Sequence, residues 1–305
     1  MLRGVSITLT QLRSFLAVVR GGSVTAAADE LVVTQPSVSA AVAALSREVG
    51  VSLLEREGRG VRPTPAGKEF AAYAGDVIGL LEQGRRAAHE AEARGALALS
   101  IAAVTTAAES FVPPLMRAFA KSHPQIGLGL EVGNRDRVLA MVLGHEADLA
   151  IGGRPPPDER IEAHAILPNE LVLITTPEDP LTGGGAISSA KLAGCRWLLR
   201  EPGSGTRAVN EEFIASAGIG ARTMTLGSNG AIKQAARAGL GVSFVSRAAV
   251  ATELDAGLLG VIAVESGPAA RDWYAMRSSV GPSRSVVADF LAFVTSPSAR
   301  RVLEA

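Results

Sequence analysis

Two short helical patterns separated by two residues limit what this chain can be. Ser23-Val-Thr-Ala-Ala-Ala-Asp-Glu-Leu31 and Thr34-Gln-Pro-Ser-Val-Ser-Ala-Ala-Val-Ala-Ala-Leu45 both carry small or apolar residues at helical spacing, with only Val32-Val33 between them. So short a turn between two such segments reads as a helix-turn-helix, whose second helix enters the DNA major groove. Upstream, Leu12, Phe15, Leu16 and Val19 recur at i, i+3, i+4 and i+7 and predict a helix over Thr10 to Arg20. Thr8 or Thr10 can cap it and Gly21-Gly22 stops it. Ser23 or Thr25 opens the second helix, and Ala27, Ala28 and Leu31 form its inner face. Thr34 is the N-cap of the third, with Pro36 in the first turn, where no intrahelical N–H is needed. Val38, Ala41, Val42, Leu45 and Val49 make its inner stripe, and Gly50 ends it. The outer face holds Pro36, Ala40, Ala43 and Arg47, flanked by Ser37 and Ser39, small enough to lie against base edges.

Val51–Leu54 and Gly60–Thr64 then read as the strands of a hairpin wing. Arg56, Arg59 and Arg62 sit there among Glu55 and Glu57, which suits either phosphate contact or a solvated loop. Thr64-Pro-Ala-Gly-Lys68 starts a helix reaching about Arg94, with Phe70, Tyr73, Ala74, Val77, Leu80, Leu81, Gly84 and Ala88 in helical period. A helix this long cannot bury its stripe on one chain alone, so a second copy is the expected partner, as in a two-stranded coiled coil. Two copies would also double the DNA readout through paired half-sites.

The 305 residues suit two or three domains, and 47% hydrophobic with 20% charged residues is a globular composition. Thirty basic against 30 acidic residues give a formal charge of zero, so any nucleic-acid contact is a local patch rather than a general coating. Only Lys68, Lys121, Lys191 and Lys233 are lysines, which makes the chain arginine-rich. A lone cysteine, Cys195, allows no internal disulfide and favours a reducing cytoplasm, where it reads as a buried structural thiol. Met1 to Ser6 lacks the apolar core of a signal peptide, and no apolar run approaches the ~20 residues that span a bilayer. The expectation is a cytoplasmic protein without membrane contact.

From about Gly95 short apolar runs alternate with amphipathic helices. Strands are expected at Leu97–Val104, Ile126–Val132, Ala147–Gly152, Ile161–Leu167, Leu171–Thr176, Cys195–Leu199, Arg222–Leu226, Val242–Val245, Leu259–Val264 and Trp273–Arg277. Helices are expected at Glu109–Ser122, Arg135–Leu143, Thr206–Ala217, Gly230–Ala238, Arg247–Asp255 and Ser285–Val294. The alternation implies parallel sheet with helices on its faces. Leu167-Pro-Asn-Glu170 and Val264-Glu-Ser-Gly-Pro268 are candidate hinges between subdomains.

Leu12 to Gly67 resembles the LysR-type transcriptional regulators. The resemblance rests on Leu12-Arg-Ser-Phe-Leu16, Ser23-Val-Thr-Ala-Ala-Ala28, Leu31, Thr34-Gln-Pro-Ser-Val-Ser39, Leu45, Gly50, Leu53-Leu-Glu-Arg56 and Thr64-Pro-Ala-Gly67, without a gap. It implies an α/β protein with an all-α-like winged helix-turn-helix head over residues 1–64 and a linker and dimerisation helix over 65–94. Residues 95–305 would form a two-subdomain effector domain like periplasmic binding proteins, one subdomain at about 95–167 with 269–305 and the other at about 168–268. Carried over by position, the DNA-reading residues are Thr34, Gln35, Pro36, Ser37, Ser39 and Arg47, with Arg56, Arg59, Arg62 and Thr64 at the wing. Gln35 can pair bidentately with adenine. Many relatives carry long polar or basic side chains where Ala40 and Ala43 stand here, and alanine can touch a thymine methyl, so readout leans on T-rich half-sites and DNA shape. Expected partners are promoter or operator DNA, a small-molecule effector and further copies of the chain in a dimer or tetramer. RNA polymerase is a further candidate.

Arg200-Glu-Pro-Gly-Ser-Gly-Thr-Arg207 follows a strand and opens a helix. Its glycines, the Ser204 and Thr206 hydroxyls and the N–H groups of a helix N-terminus suit a carboxylate or phosphate. The other reading is an ordinary glycine-rich turn that caps its own helix. Thr105-Thr106, Gly133-Asn134-Arg135 and Ser228-Asn229-Gly230 occupy similar strand-to-helix junctions, where open α/β sheets bind ligands. The expected effector residues are therefore Thr105, Thr106, Asn134, Arg135, Ser204, Gly205, Thr206, Arg207 and Asn229. In this motif the chain looks similar to regulators of carbon fixation and sulfur assimilation, whose effectors are anionic metabolites.

Catalysis finds little support. His89, His123, His145 and His164 show no metal-ligand spacing, no Gly-x-Ser-x-Gly elbow is present, and Gly203-Ser-Gly205 lacks the lysine of a phosphate loop. No catalytic residue, metal or cofactor is expected beyond the effector. Two other readings remain open from the sequence: a ligand-independent helix-turn-helix repressor, and a cytoplasmic solute-binding protein or enzyme with an accessory N-terminal domain.

Overall fold

The computed structural model describes residues 6–58, 60–92 and 97–304. The chain divides into two compact units, Met1–Arg94 with Leu143–His145, and Gly95–Val142 with Glu146–Ala305.

The first unit runs α1 (Leu9–Gly21), α2 (Val24–Leu31), α3 (Gln35–Val49), β1 (Leu54–Glu57), β2 (Gly60–Pro63) and α4 (Pro65–Glu92). Local chemistry sets each boundary. Thr8 accepts from the Gln11 N–H while the Gln11 side chain accepts from the Thr8 N–H, a capping box that opens α1. Gly22 at φ +62° and Gly50 at φ +84° end α1 and α3 in the left-handed conformation. Leu12, Phe15, Val18, Ala27, Val38, Val42, Leu45 and Leu53 form the core, with the Phe15 and Phe70 rings 5.8 Å apart between centroids. The wing ladder is antiparallel and begins at Leu54, later than the expected strand, because Leu53 is drawn into the core and its carbonyl accepts from Thr64 N–H. A Cβ at position 67 would lie 1.9 Å from the Leu53 carbonyl oxygen, so only glycine permits this crossing.

The second unit contains two lobes of like topology. The first holds β3 (Leu97–Val104), α5 (Thr105–Ser110), α6 (Val112–Ser122), β4 (Ile126–Gly133), α7 (Arg135–Leu143), β5 (Leu149–Gly152) and β6 (Ile161–Asn169). The chain then enters the second lobe: β7 (Leu171–Thr175), β8 (Arg196–Arg200), α8 (Gly205–Ser216), β9 (Arg222–Leu226), α9 (Asn229–Arg237), β10 (Ser243–Ser246), α10 (Ala251–Asp255) and β11 (Gly260–Ile262). It returns to the first with β12 (Arg271–Ser278), α11 (Ser285–Val294) and α12 (Pro297–Glu304). The first sheet is ordered β4-β3-β5-β12-β6. In the second lobe β8-β9 and β10-β7-β11 are joined by a parallel bridge between Trp197 and Val242, giving the matching order β9-β8-β10-β7-β11. In each lobe the strand that follows a crossing pairs antiparallel with its neighbours. The sheets are thus mixed, where the sequence pattern implied parallel ones.

Apolar clusters cover both faces of both sheets, which is why β5 and the Trp197–Leu199 centre of β8 read as continuous apolar runs rather than alternating ones. The expected helix Glu109–Ser122 is two helices broken at Phe111, since Pro113 and Pro114 supply no N–H to the preceding turn. A terminal helix, α12, was not expected; Pro297 reads as a stop but stands at its first position. Of the candidate hinges, Leu167–Asn169 continues β6, and the first crossing is confined to Glu170.

Candidate DNA-reading face and effector cavity

Helix α3 presents Gln35, Pro36, Ser37, Ser39, Ala40, Ala43 and Arg47 exposed, opposite buried Val38, Val42 and Leu45. Thr34 caps the helix: its Oγ1 accepts from the Ser37 N–H at 3.4 Å and lies 2.8 Å from the Ser37 hydroxyl. At the wing, Arg62 is held by two carboxylates, with Nε donating to Glu55 at 2.7 Å and Nη1 to Glu57 at 3.2 Å. Arg47 and Arg56 have no ion-pair partner among the described residues, which leaves them as the cations available to phosphates. Arg59 lies outside the described residues. The Thr64 hydroxyl is engaged within the fold, donating to the Ser52 carbonyl at 2.8 Å and accepting from the Gly67 N–H at 3.0 Å.

In the second unit a cavity of about 300 Å³ opens between the lobes, where the C-terminal ends of β3, β4 and β8 meet the helices that follow them. Thr105 and Thr106 from α5, Asn134 and Arg135 at the start of α7, and Ser204, Gly205 and Thr206 at the start of α8 all line it. Arg154, Arg200 and Arg271 bring the lining guanidinium groups to four, against one lining carboxylate, Glu212, which accepts from Arg271 Nη2 at 2.9 Å. Leu171, Phe244 and Trp273 form apolar wall.

Among the α-helices that begin after a serine or threonine, α8 differs in its cap. Ser23, Thr34 and Ser228 each turn their hydroxyl back to accept from their own helix, at the N–H three residues on. Ser204 holds the same N-cap position on α8 and makes no such bond, although it is buried. Its hydroxyl and the first N–H groups of α8 therefore remain for whatever occupies the cavity. The alternative of a turn that merely caps its own helix does not match this geometry.

The N-terminal unit matches the family profile described as bacterial regulatory helix-turn-helix protein, lysR family, over residues 9–68. Residues 93–297 match the LysR substrate binding domain. The chain belongs to the LysR family. It is 38% identical over 297 residues to the RuBisCO operon transcriptional regulator of Allochromatium vinosum, covering 96% of this chain and 97% of that protein. Among solved structures, the Synechocystis PCC6803 CcmR regulatory domain in complex with 2-PG is 30% identical, with a TM-score of 0.62, covering 65% of this chain and 95% of that one. Full-length CbnR complexed with its target DNA is 25% identical with a TM-score of 0.53, covering 97% of this chain and 99% of that one. The protein is a ligand-responsive, DNA-binding transcriptional regulator of the LysR type.

In this LysR regulator two of the expected effector residues do not line the cavity. Arg207 points to the β9 side of α8, with Nε donating to Glu211 at 2.7 Å and Nη1 to the Arg200 carbonyl at 3.0 Å. Asn229 is buried behind the cavity wall, bonded to Thr106 and Arg200. The sequence reading missed Arg200, Arg271, Arg154 and Glu212. Helical period could have found one of them and excluded Arg207: Gly205, Ala208, Val209 and Glu212 follow one another on the lining face of α8, and position 207 falls off it. Arg200 was visible as a charge closing an apolar strand, all of it buried from Trp197 onward. Burial pushes the neighbouring Glu201 carboxyl up, but the Arg200 fork, a backbone N–H and the Asn134 side chain together hold it below the ordinary carboxylate range.

Among the described residues no group of three or more His, Cys, Asp or Glu side chains could hold a metal ion, and no helix is long and apolar enough to cross a membrane.

Proposed function

We propose that this regulator senses a small anionic metabolite carrying phosphate or carboxylate in the cavity between its lobes, and that it controls carbon-fixation genes. The uncapped N-terminus of α8, with the Ser204 hydroxyl beside it and Arg135, Arg154, Arg200 and Arg271 lining the same space, carries the reading. Burial alone disfavours an anion, and helix N–H donors with charge-assisted bonds together offset that cost in such a site. Likeness to a RuBisCO operon regulator and to a domain bound to 2-PG supports both the gene class and 2-phosphoglycolate as the first ligand to try. The ligand is expected to shift the angle between the lobes. Across the oligomer that shift changes the spacing of the DNA-binding heads and so the contact with promoter DNA.

Oligomerisation through α4 is supported by Tyr73, Val77 and Leu81, which lie at i, i+4 and i+8 and are 70, 51 and 49% exposed in the single chain. An exposed apolar stripe of this kind fits the matching helix of a second copy. Pairs of such dimers would give a tetramer, acting in the cytoplasm with RNA polymerase as a further partner. On the DNA-reading face, Gln35 with Ser37, Ser39 and Arg47 would contact base edges and adjoining phosphates, and Arg56 the backbone.

The test is a melting titration of the full chain with 2-phosphoglycolate, followed by operator binding at saturating ligand. A ligand that binds the folded state alone at 100 times its Kd adds about 2.7 kcal/mol of stability. A rise in melting temperature with altered operator binding is expected. No rise with 2-phosphoglycolate, inorganic phosphate, other phosphate esters or small carboxylates would overturn the anionic reading.

A further inference from the structure

At the cavity wall, Glu201, Arg200, Asn229 and Thr106 form a hydrogen-bonded series whose polarity is enforced by Arg200. Arg200 closes β8 and Asn229 opens α9, both in the second lobe, while Thr106 belongs to α5 in the first; they are 5, 3 and 7% exposed. Arg200 Nε donates to Glu201 Oε2 at 2.7 Å, Nη2 donates to Glu201 Oε1 at 2.9 Å, and Nη1 donates to Asn229 Oδ1. A guanidinium has donors only, so Asn229 must turn its oxygen toward Arg200. Its Nδ2 therefore faces the other way, donating to Thr106 Oγ1 at 2.7 Å. That bond occupies a lone pair of the Thr106 hydroxyl, whose single proton must then point elsewhere. Thr106 Oγ1 has no other partner among the described residues, and Thr106 lines the cavity.

We propose that Asn229 and Arg200 are positioning residues that fix the Thr106 hydroxyl as a hydrogen-bond donor into the cavity. The inference rests on the reading that the cavity takes an anion, and it adds which atom the ligand meets from the first lobe. A ligand oxygen placed against Thr106 must accept, as phosphate, carboxylate and carbonyl oxygens do. Because the donor sits on one lobe and the residues orienting it sit on the other, the donor is set only while the lobes are joined through this bond. Neither Asn229 nor the Arg200–Glu201 fork needs to touch the ligand for this.

The test is a double-mutant cycle read by calorimetric titration of the full chain with 2-phosphoglycolate. Asn229→Asp keeps the shape and the bond from Arg200, but a carboxylate only accepts, so the Thr106 proton turns toward it and a lone pair faces the ligand. Affinity should fall at least tenfold in N229D and similarly in T106V, while T106S should stay within threefold of wild type. Adding N229D to T106V should cost less than a further threefold, because the remaining effect is the added charge alone. An equal loss from N229D in both backgrounds would overturn the proposal, as would unchanged affinity in N229D. Unaltered ligand-free operator binding, with a single cooperative melting transition, would confirm that each variant is folded. If the wild type binds none of 2-phosphoglycolate, inorganic phosphate, other phosphate esters and small carboxylates, the anionic reading fails separately. The series is then judged on the ligand-free protein, where the Asn229 side-chain amide protons should exchange slowly and shift in T106V. Fast exchange in wild type, or no shift in T106V, would overturn it.

Discussion

Helices α3 and α8 both begin after a hydroxyl residue, and they use it in opposite ways. Thr34 turns back onto α3 and satisfies a backbone donor of its own helix, whereas Ser204 leaves the start of α8 uncapped inside a cavity edged by guanidinium groups. The first arrangement makes a rigid, nearly uncharged rod whose exposed alanines, serines and Gln35 suit the edges of bases. The second leaves helix donors open toward the cavity, where the proposed anion would sit, at the cost of a buried hydroxyl without a cap bond. The same residue class therefore stabilises one site and equips the other, and only the surroundings tell which.

The most severe way to break this contrast is to place a carboxylate where the anion should sit. Position 205 has room, since an added Cβ would meet nothing nearer than the Arg135 side chain at 3.6 Å. Gly205→Asp should weaken 2-phosphoglycolate binding at least about 100-fold, roughly 2.7 kcal/mol, while Gly205→Ala stays within about tenfold; titration calorimetry reads both. On the other helix, Gln35→Ala should cost ~1–3 kcal/mol of specific operator binding and leave binding to random DNA nearly intact. Equal loss on both DNAs in an anisotropy titration would remove Gln35 from the base-reading set.

The caps themselves give the next, smaller pair of effects. Thr34→Ala should lower the stability of the N-terminal unit by about 1 kcal/mol, whereas Ser204→Ala should leave melting nearly unchanged and weaken ligand binding by roughly threefold to tenfold, the worth of a hydrogen bond or so. If Ser204→Ala destabilises as Thr34→Ala does, Ser204 is an ordinary cap after all.

Acid should act on the cavity through Glu201. Its carboxyl is held below the ordinary range in the folded chain, so its contribution is complete above the unfolded value and fades as pH falls through the folded one. Melting curves of wild type and Glu201→Gln should therefore be well separated at neutral pH and converge as the solution is acidified below the ordinary glutamate range. A separation that grows toward low pH would contradict this sign. The smallest effect is expected in the turn before α3, where Val32 holds φ +55° and is 89% exposed. A β-branched residue is strained in that conformation, so Val32→Gly should gain up to about 1 kcal/mol in chemical denaturation.

The N-terminal unit was legible because its boundaries are set by neighbours in sequence: Thr8, Ser23 and Thr34 at the starts, Gly22 and Gly50 at the ends. The mixed order of the sheets was not, because β7 and β12 pair with strands far away in the chain, and nothing local reports direction. The cavity was half legible. Turn chemistry pointed to Thr105, Thr106, Asn134, Arg135, Ser204, Gly205 and Thr206, all of which line it. It included Arg207, which the helical period of α8 excludes, and it left out Arg200, whose place depends on where the end of β8 lies in the lobe. Arg271 was hidden because it opens β12, straight after a stretch whose length says nothing of where it lands.

The contrast between the two helix starts is tested most directly by ligand-induced stabilisation in a matched pair. Melting curves of the full-length G205A and G205D variants, with and without saturating 2-phosphoglycolate, isolate the charge at the start of α8 from its shape. A clear rise in melting temperature for G205A and none for G205D is the predicted result. Equal rises in both variants would mean that the anion is held elsewhere and that the uncapped start of α8 is not its site.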